Sequence, residues 1–208
     1  MLRFNQVGER IAASTKAVGP PPASARGAVS VVLLGSRGPL RVLLIERAER
    51  EDDPWSGQIA FPGGKRQPGD RTPLDTAKRE TKEEVGFSLN RTARLLGGLP
   101  ARSPANRVEW VVVPYIFALS RTPRLAPGKE VARAFWADLE ALPGTLHKAV
   151  IRLPFGEMET PAFEVEGMPL WGFSFRVLCD FFDIVGSPGS TARQYGTRAK
   201  RPIRSETD

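Results

Sequence analysis

Apolar positions along this chain follow two rhythms. Short runs at 28–35 and 40–46 flank Gly35-Ser36-Arg37-Gly38-Pro39 and predict two β-strands joined by a hairpin turn. Residues 93–99, 131–136, 150–155 and 163–165 predict further strands. Residues 108–119 form a longer apolar run; Pro114 inside it cannot donate to a ladder, so an edge strand or a bulge is expected. Residues 138–142 read as one helical turn before Pro143. At 172–185 the rhythm changes: Phe173, Val177, Leu178, Phe181, Ile184 and Val185 fall at helical spacing. No internal repeat is visible. Strands, an intervening helix and a closing helix predict an α/β fold, a mixed sheet with helices packed on its faces.

The intervening helix is the best specified element. Thr72 is a good N-cap, Pro73 suits the first helical position, and Asp75 completes a weaker form of the capping box. Gly86 is the expected left-handed terminator, so the spacing predicts a helix over 73–85. At about 100° per residue, Leu74, Ala77, Thr81 and Val85 share one stripe that should face the core. Glu80, Glu83 and Glu84 occupy an arc of roughly 100° beside it.

Three carboxylates on one patch repel each other. Arg79 reaches Glu83 at i, i+4, but one arginine cannot neutralise three acids. Hard divalent cations such as Mg²⁺ or Mn²⁺ take carboxylate oxygens and complete their shells with water and substrate phosphate. The alternative is a solvated acidic face. The glycine-led loop upstream, with the caps and terminator at matching spacing, weighs toward a metal site.

The segment 63–87 resembles the box of the Nudix hydrolases, in which a glycine-led loop enters a helix carrying R-E-x-x-E-E-x-G and an apolar residue. Arg79-Glu80-Thr81-Lys82-Glu83-Glu84-Val85-Gly86-Phe87 carries the helix half. Asp70 fills the acidic loop position, and residues 71–78 make the loop one residue longer than the usual box. Upstream, Arg47-Ala48 and Gly57-Gln58-Ile59-Ala60-Phe61-Pro62-Gly63-Gly64 resemble the signature of the coenzyme A pyrophosphatase branch. Ile45 stands where a threonine is common, and the gap from Arg47 to Gly57 is one residue longer than expected.

The resemblance implies a Nudix α/β/α sandwich over about residues 28–185. It implies hydrolysis of a pyrophosphate bond in a nucleoside diphosphate derivative, with Mg²⁺ or Mn²⁺. It makes Glu80 and Glu84 first-choice metal ligands, Glu83 and the Gly64 carbonyl further ones, and Arg79 the residue that orients the carboxylates. Glu83 becomes a candidate base, and Glu130 a candidate base or ligand of a further metal because related chains carry an acid–valine pair there; the alternative for Glu130 is a surface glutamate before a strand. Arg47, Gly57, Gln58, Gly63 and Gly64 become substrate-binding candidates. Arg47 and Arg50 are candidates for a 3′-phosphate, and Trp171 for a pocket wall or a core anchor. Coenzyme A or an acyl-coenzyme A is favoured, with ADP-ribose or a dinucleotide as the nearest alternative. A homodimer is implied by the resemblance alone.

Charge narrows the partners. The 208-residue chain carries +7. Residues 1–27 hold Arg3, Arg10, Lys16 and Arg26 against Glu9, a net +3. Residues 187–208 hold Arg193, Arg198, Lys200, Arg201 and Arg204 against Glu206 and Asp208, also +3, leaving +1 for 28–186. Both ends, rich in Pro, Gly, Ser, Ala and Thr, read as flexible extensions of one domain at 28–186. No specific nucleic-acid partner is expected. An RNA-binding or decapping-type factor acting through these ends is a rival, and steep salt dependence would mark it. A catalytically silent ligand-binding domain is another, against which the full set of box carboxylates argues.

Cys179 is the single cysteine, in an apolar stretch, and reads as a core residue in a reducing compartment. No run is long enough to span a bilayer and the N-terminus lacks a secretory pattern, so a cytosolic protein is expected. His147 is the single histidine, and its neighbours suggest a surface loop.

Overall fold

The computed structural model describes residues 4–35, 38–51, 55–105, 107–153 and 156–186. Helix α1 (Phe4–Val18) leads into β1 (Ala25–Leu34), β2 (Arg41–Arg47), β3 (Ile59–Ala60) and β4 (Gly63–Lys65). Then follow α2 (Pro73–Val85), α3 (Leu89–Thr92), β5 (Ala93–Gly98), β6 (Val111–Leu119) and β7 (Val131–Asp138). A 3₁₀ turn at Leu142–Thr145 precedes β8 (His147–Leu153), β9 (Gly156–Val165), β10 (Met168–Trp171) and α4 (Gly172–Val185).

Among the described residues, seven strands form one mixed sheet with the path β3-β2-β1-β6-β5; β4 also pairs with β1 and β7 with β2. β1 and β6 run parallel, from Gly27 beside Val112 to Leu34 beside Leu119. The other pairings in this sheet are antiparallel. β8, β9 and β10 form a second antiparallel sheet. The sequence expectation reads only part of it: the strand expected at 150–155 overlaps β8 and that at 163–165 is the end of β9, while β10 and most of β9, broken by exposed polar residues, go unread.

Alternation along β1 and β2 splits the core into two layers. Ala28, Val32, Leu34, Leu43 and Ile45 pack with Ala77 and Val85 of α2. Val31, Leu33, Val42 and Leu44 face the other way, against Val7 and Ile11 of α1 and the phenylalanines of α4. Helices therefore cover both faces of the mixed sheet, the α/β sandwich expected. No described helix is long and apolar enough to cross a membrane.

Three expectations need correction. Residues 1–27 are not an unstructured extension where described: α1 buries Val7 and Ile11 completely, and β1 begins at Ala25. Phe4, Val7 and Ile11 make an apolar stripe. Arg10 donates to the Val185 carbonyl of α4, and Thr15 Oγ1 accepts from Gly98 N–H at 3.0 Å. Pro114 is in an interior strand, between β1 and β5, rather than at an edge. β5 ends at Gly98, opposite Tyr115, and Leu99 N–H reaches the Pro114 carbonyl, so the missing N–H faces the place where the partner strand has stopped. The helical turn expected at 138–142 is a 3₁₀ turn that begins at Leu142 and includes Pro143. The basic tail expected at 187–208 lies outside the described residues.

Candidate active site

The site grows from α2. Thr72 Oγ1 accepts from Asp75 N–H at 3.2 Å while Asp75 accepts from Thr72 N–H at 3.0 Å, a reciprocal capping box. Ala77, Thr81 and Val85 are buried and Leu74 half-buried, as the stripe predicts. Thr81 Oγ1 lies 2.8 Å from both Ser30 Oγ and the Ala77 carbonyl, which fixes the helix to β1 by buried polar contacts. With one face held so, Glu80, Glu83 and Glu84 project at the end of β4.

The two glycines of β4 explain themselves sterically. A Cβ on Gly63, whose φ is 155°, would stand 2.4 Å from the Ala28 carbonyl oxygen. One on Gly64 would stand 2.7 Å from Glu80 Oε1. Bare backbone lets β4 lie against β1 on one side and lets Glu80 close on the other. Gly63 N–H donates to Glu84 Oε2 at 2.8 Å. The Gly64 carbonyl, expected in a metal shell, is turned toward β1, its oxygen 2.7 Å from where a Cβ on Gly27 would stand.

Arg79 organises the acids. Its Nε and Nη2 donate to Asp70 at 3.1 and 2.9 Å, its Nη1 lies 2.9 Å from Glu80 and 2.8 Å from Glu83, and its Nη2 also reaches the Lys65 carbonyl. Asp70 further accepts from Gln67 N–H and Thr76 Oγ1. The Arg79 guanidinium holds the Asp70 carboxyl down at about 2. Glu84 is 5% exposed, and burial pushes its carboxyl up to about 8, against the Gly63 N–H and Arg47, which draw it down. Burial also raises the Glu80 pKa, against the pull of Arg79.

A second wall comes from the loop before β7. Gly128 N–H donates to the Glu84 carbonyl and Ala126 N–H to that of Val85, closing the last turn of α2. A Cβ on Gly128 would meet the Glu83 carbonyl at 2.2 Å, so this docking requires glycine. It carries Lys129 and Glu130 to the cleft, which Gln67, Glu80, Glu83 and Glu84 also line. Glu130 thus joins the box acids, an arrangement for which the sequence offers only the acid–valine pair. Its side chain is 60% exposed and pairs with Arg50 at 3.3 Å.

The upstream motif buttresses this wall. Arg47 N–H donates to the Gln58 carbonyl, Gly57 N–H to that of Arg47, and Ala48 N–H to that of Glu130. Gly57 has a φ of 71°, which favours glycine. Arg47 lies at the end of β2 with its Nε buried, near enough to Glu84 to lower its pKa. Phe61 is a core residue. Trp171, half-buried at the start of α4, packs on Trp55 with ring centroids 6.1 Å apart. His147, expected in a loop, begins β8 and is exposed, with Nδ1 3.0 Å from the Thr145 carbonyl. Cys179 is buried in the core, its thiol pushed up to about 12 by burial.

Four carboxylates line one cleft, and burial raises the pKa of two of them. Among the described residues no group of three already converges as a ligand set, because Arg79 draws Glu80 and Glu83 to itself. A hard dication fits these donors: all are oxygens, and positive charge there relieves both the repulsion and the burial penalty.

The NUDIX domain family model matches residues 24–153. An uncharacterized protein of Schizosaccharomyces pombe is 38% identical over 109 residues, 49% of this chain and 32% of that one. The human mitochondrial coenzyme A diphosphatase NUDT8 is 39% identical over 79 residues, 38% of this chain and 33% of that one. The uncharacterized Nudix hydrolase NudL of Pectobacterium atrosepticum is 32% identical over 103 residues, 49% of this chain and 52% of that one. The chain thus spans about a third to a half of the length of these relatives. A solved MutT protein from Methanosarcina mazei overlays 77% of this chain and 91% of its own at 20% identity, TM-score 0.47.

Proposed function

The chain belongs to the Nudix family, and from that premise we propose that it hydrolyses the pyrophosphate bond of coenzyme A or an acyl-coenzyme A. The products would be adenosine 3′,5′-bisphosphate and 4′-phosphopantetheine or its acyl form. The observation that carries the reading is the four-carboxylate cleft built against Gly63 and Gly64. The substrate choice is supported by the Arg47-Ala48 and Gly57–Gly64 motif beside that cleft and by the coenzyme A diphosphatases among the similar proteins.

Glu80 and Glu84 would hold Mg²⁺ or Mn²⁺, with Glu83 adding to the shell. Bound there, the cation supplies neutralisation of the pyrophosphate oxygens and acidifies water. The chain's own residues supply placement. Arg79, anchored by Asp70, sets the directions of Glu80 and Glu83. Water attacks one phosphorus, the bond from that phosphorus to the bridging oxygen breaks, and the leaving phosphate takes the bridging oxygen. The water's proton passes to a cleft carboxylate. Glu130 is the candidate base, because it faces the cleft from the β7 side and Arg79 does not hold it. A reducing compartment such as the cytosol suits the single buried thiol Cys179.

The test is turnover of a panel of coenzyme A, ADP-ribose, NADH and nucleoside triphosphates with Mg²⁺ or Mn²⁺, with products identified by mass. Coenzyme A is expected to give the highest kcat/KM. Full turnover after exhaustive EDTA treatment would remove the metal-dependent reading. A higher kcat/KM for ADP-ribose would remove the coenzyme A reading alone.

A further inference from the structure

Of the six residues that line the cleft, four are glutamates, one is Gln67 and one, Lys129, is a cation. The arginines of the site are engaged. Arg79 holds Asp70, Glu80 and Glu83, Arg50 holds Glu130, and Arg47 has its Nε buried near Glu84. Lys129 is exposed, and among the described residues it pairs with no carboxylate, although four line the same cleft. Its ammonium therefore keeps its N–H donors for a group that enters from outside.

The root of this side chain is fixed on both sides. Gly128 N–H donates to the Glu84 carbonyl at 3.0 Å, and the Gly128 carbonyl accepts from Val131 N–H at 3.1 Å. The approach to α2 is so close that a Cβ on Gly128 would stand 2.2 Å from the Glu83 carbonyl oxygen. On the other side the Glu130 carbonyl accepts from Ala48 N–H at 2.9 Å. The four-carbon stem can swing, but its origin is held between two backbone anchors at the mouth of the carboxylate cluster, which lowers the ordering cost of a contact made there.

We propose that Lys129 contacts the substrate's diphosphate, donating to a non-bridging phosphate oxygen and so holding the diphosphate over the carboxylates. Dications offset the charge of the glutamates, whereas the diphosphate brings negative charge of its own, and Lys129 is the cation of the cleft lining left to meet it. A lysine suits the task as a compact point charge that binds phosphate without demanding one planar geometry. The contact is present before the reaction and persists through it, so it contributes to affinity rather than to the chemical step. It rests on the reading of the cleft as a pyrophosphate site, and not on the choice of coenzyme A. The competing role is local: a lysine that merely offsets the glutamates while the metal is absent.

The test is calorimetric titration of the full chain and of Lys129→Met, first with Mg²⁺ alone, then at saturating Mg²⁺ with methylenediphosphonate, a diphosphate whose bridge resists hydrolysis. Methionine keeps the length of the side chain and removes its charge. Mg²⁺ should bind the variant as tightly as the wild type or more tightly, because a cation beside the carboxylates has gone. Methylenediphosphonate should bind it about tenfold more weakly, and Lys129→Arg should recover most of that loss. With coenzyme A, KM of Lys129→Met should rise by a similar factor while kcat stays within about threefold. Unchanged affinity for methylenediphosphonate in Lys129→Met overturns the proposal and leaves the local role. So does a loss matched by an equal weakening of Mg²⁺ binding, or a wild-type chain that binds no methylenediphosphonate. A chain that binds it through Lys129 yet does not cleave coenzyme A retains the contact and loses the substrate assignment.

Discussion

Arg79 grips Asp70 through two guanidinium nitrogens, Nε at 3.1 Å and Nη2 at 2.9 Å, on a carboxylate whose side chain is only 5% exposed. The pair joins the loop to the helix, and the same guanidinium holds Glu80 and Glu83. Asp70→Asn keeps the shape and removes the charge. Breaking one side of such a pair costs on the order of 3 kcal/mol, so the thermal midpoint should fall by several degrees. Because the folded pKa is depressed, the stabilisation is present above the unfolded value and lost as the carboxylate is protonated. Wild-type stability should therefore decline between about pH 4 and pH 2. Asp70→Asn should lack this component of the acid limb. Identical acid unfolding curves for the two proteins would count against the linkage.

Glu84 shows the opposite sign. Its folded pKa of about 8 lies above the unfolded value near 4.5, so burying the charge destabilises the metal-free protein. The penalty is absent below about pH 4.5, grows as pH rises toward 8, and is full beyond it. Glu84→Gln should thus raise the metal-free midpoint at pH 7 and forfeit the rise that Mg²⁺ gives the wild type. Calorimetric scans with and without the cation check both halves; a lower metal-free midpoint in the variant would contradict them.

Turnover should follow the carboxylates. Glu80→Gln removes a charge beside Gly64 while keeping volume, and kcat should fall by about 10²-fold or more with little change in midpoint. Near-normal kcat would mean that the acidic patch is only solvated.

What the sequence reveals about this site depends on how local each signal is. The helix Pro73–Val85 matches its expectation to the residue, because proline and stripe lie within it and cap and terminator directly flank it. Glu80, Glu83 and Glu84 are legible for the same reason. Helix α1 is not: Phe4, Val7 and Ile11 make a short stripe in a mostly polar stretch, and the sheet and α4, distant in sequence, give it a surface to bury against. Glu130 enters the cleft because Gly128 docks on the end of α2, a contact no periodicity encodes. Gly63 and Gly64 are noticeable in sequence, but their steric reason, Ala28 and Glu80, appears only in three dimensions.

Those glycines should fail differently. Gly63→Ala places a methyl 2.4 Å from backbone at a φ that disfavours side chains, so stability should drop by several kcal/mol. Gly64→Ala meets only the movable end of Glu80, so kcat should fall more than the midpoint. Gly69→Ala, with nothing within 4 Å, should be nearly neutral. Equal loss of stability at 63 and 64 would refute this division.

Ile11 tests whether the N-terminal helix belongs to the fold. It is fully buried between β5 and α4, so Ile11→Ala should cost about 2–5 kcal/mol. Denaturant unfolding at constant m-value measures this directly. A cost below about 0.5 kcal/mol, the usual range for surface positions, would mean that α1 is peripheral after all.

Arg47 is the residue for which sequence and structure suggest different work. Its place in the upstream motif marks it for the substrate's 3′-phosphate, whereas the structure sets its charge near Glu84 with Nε buried. A cation there favours the ionised carboxylate, the form that binds metal. Removing it should raise the Glu84 pKa further, so that at neutral pH more of the protein must release a proton before a dication can bind. Arg47→Ala should therefore raise the Mg²⁺ concentration needed for half-maximal turnover at pH 7. The deficit should shrink as pH rises past the variant's raised pKa, because there the carboxylate ionises without help. The ratio of kcat/KM for coenzyme A to that for dephospho-coenzyme A should stay unchanged. A metal requirement equal to that of the wild type at pH 7, with a reduced coenzyme A to dephospho-coenzyme A ratio, would return Arg47 to the phosphate.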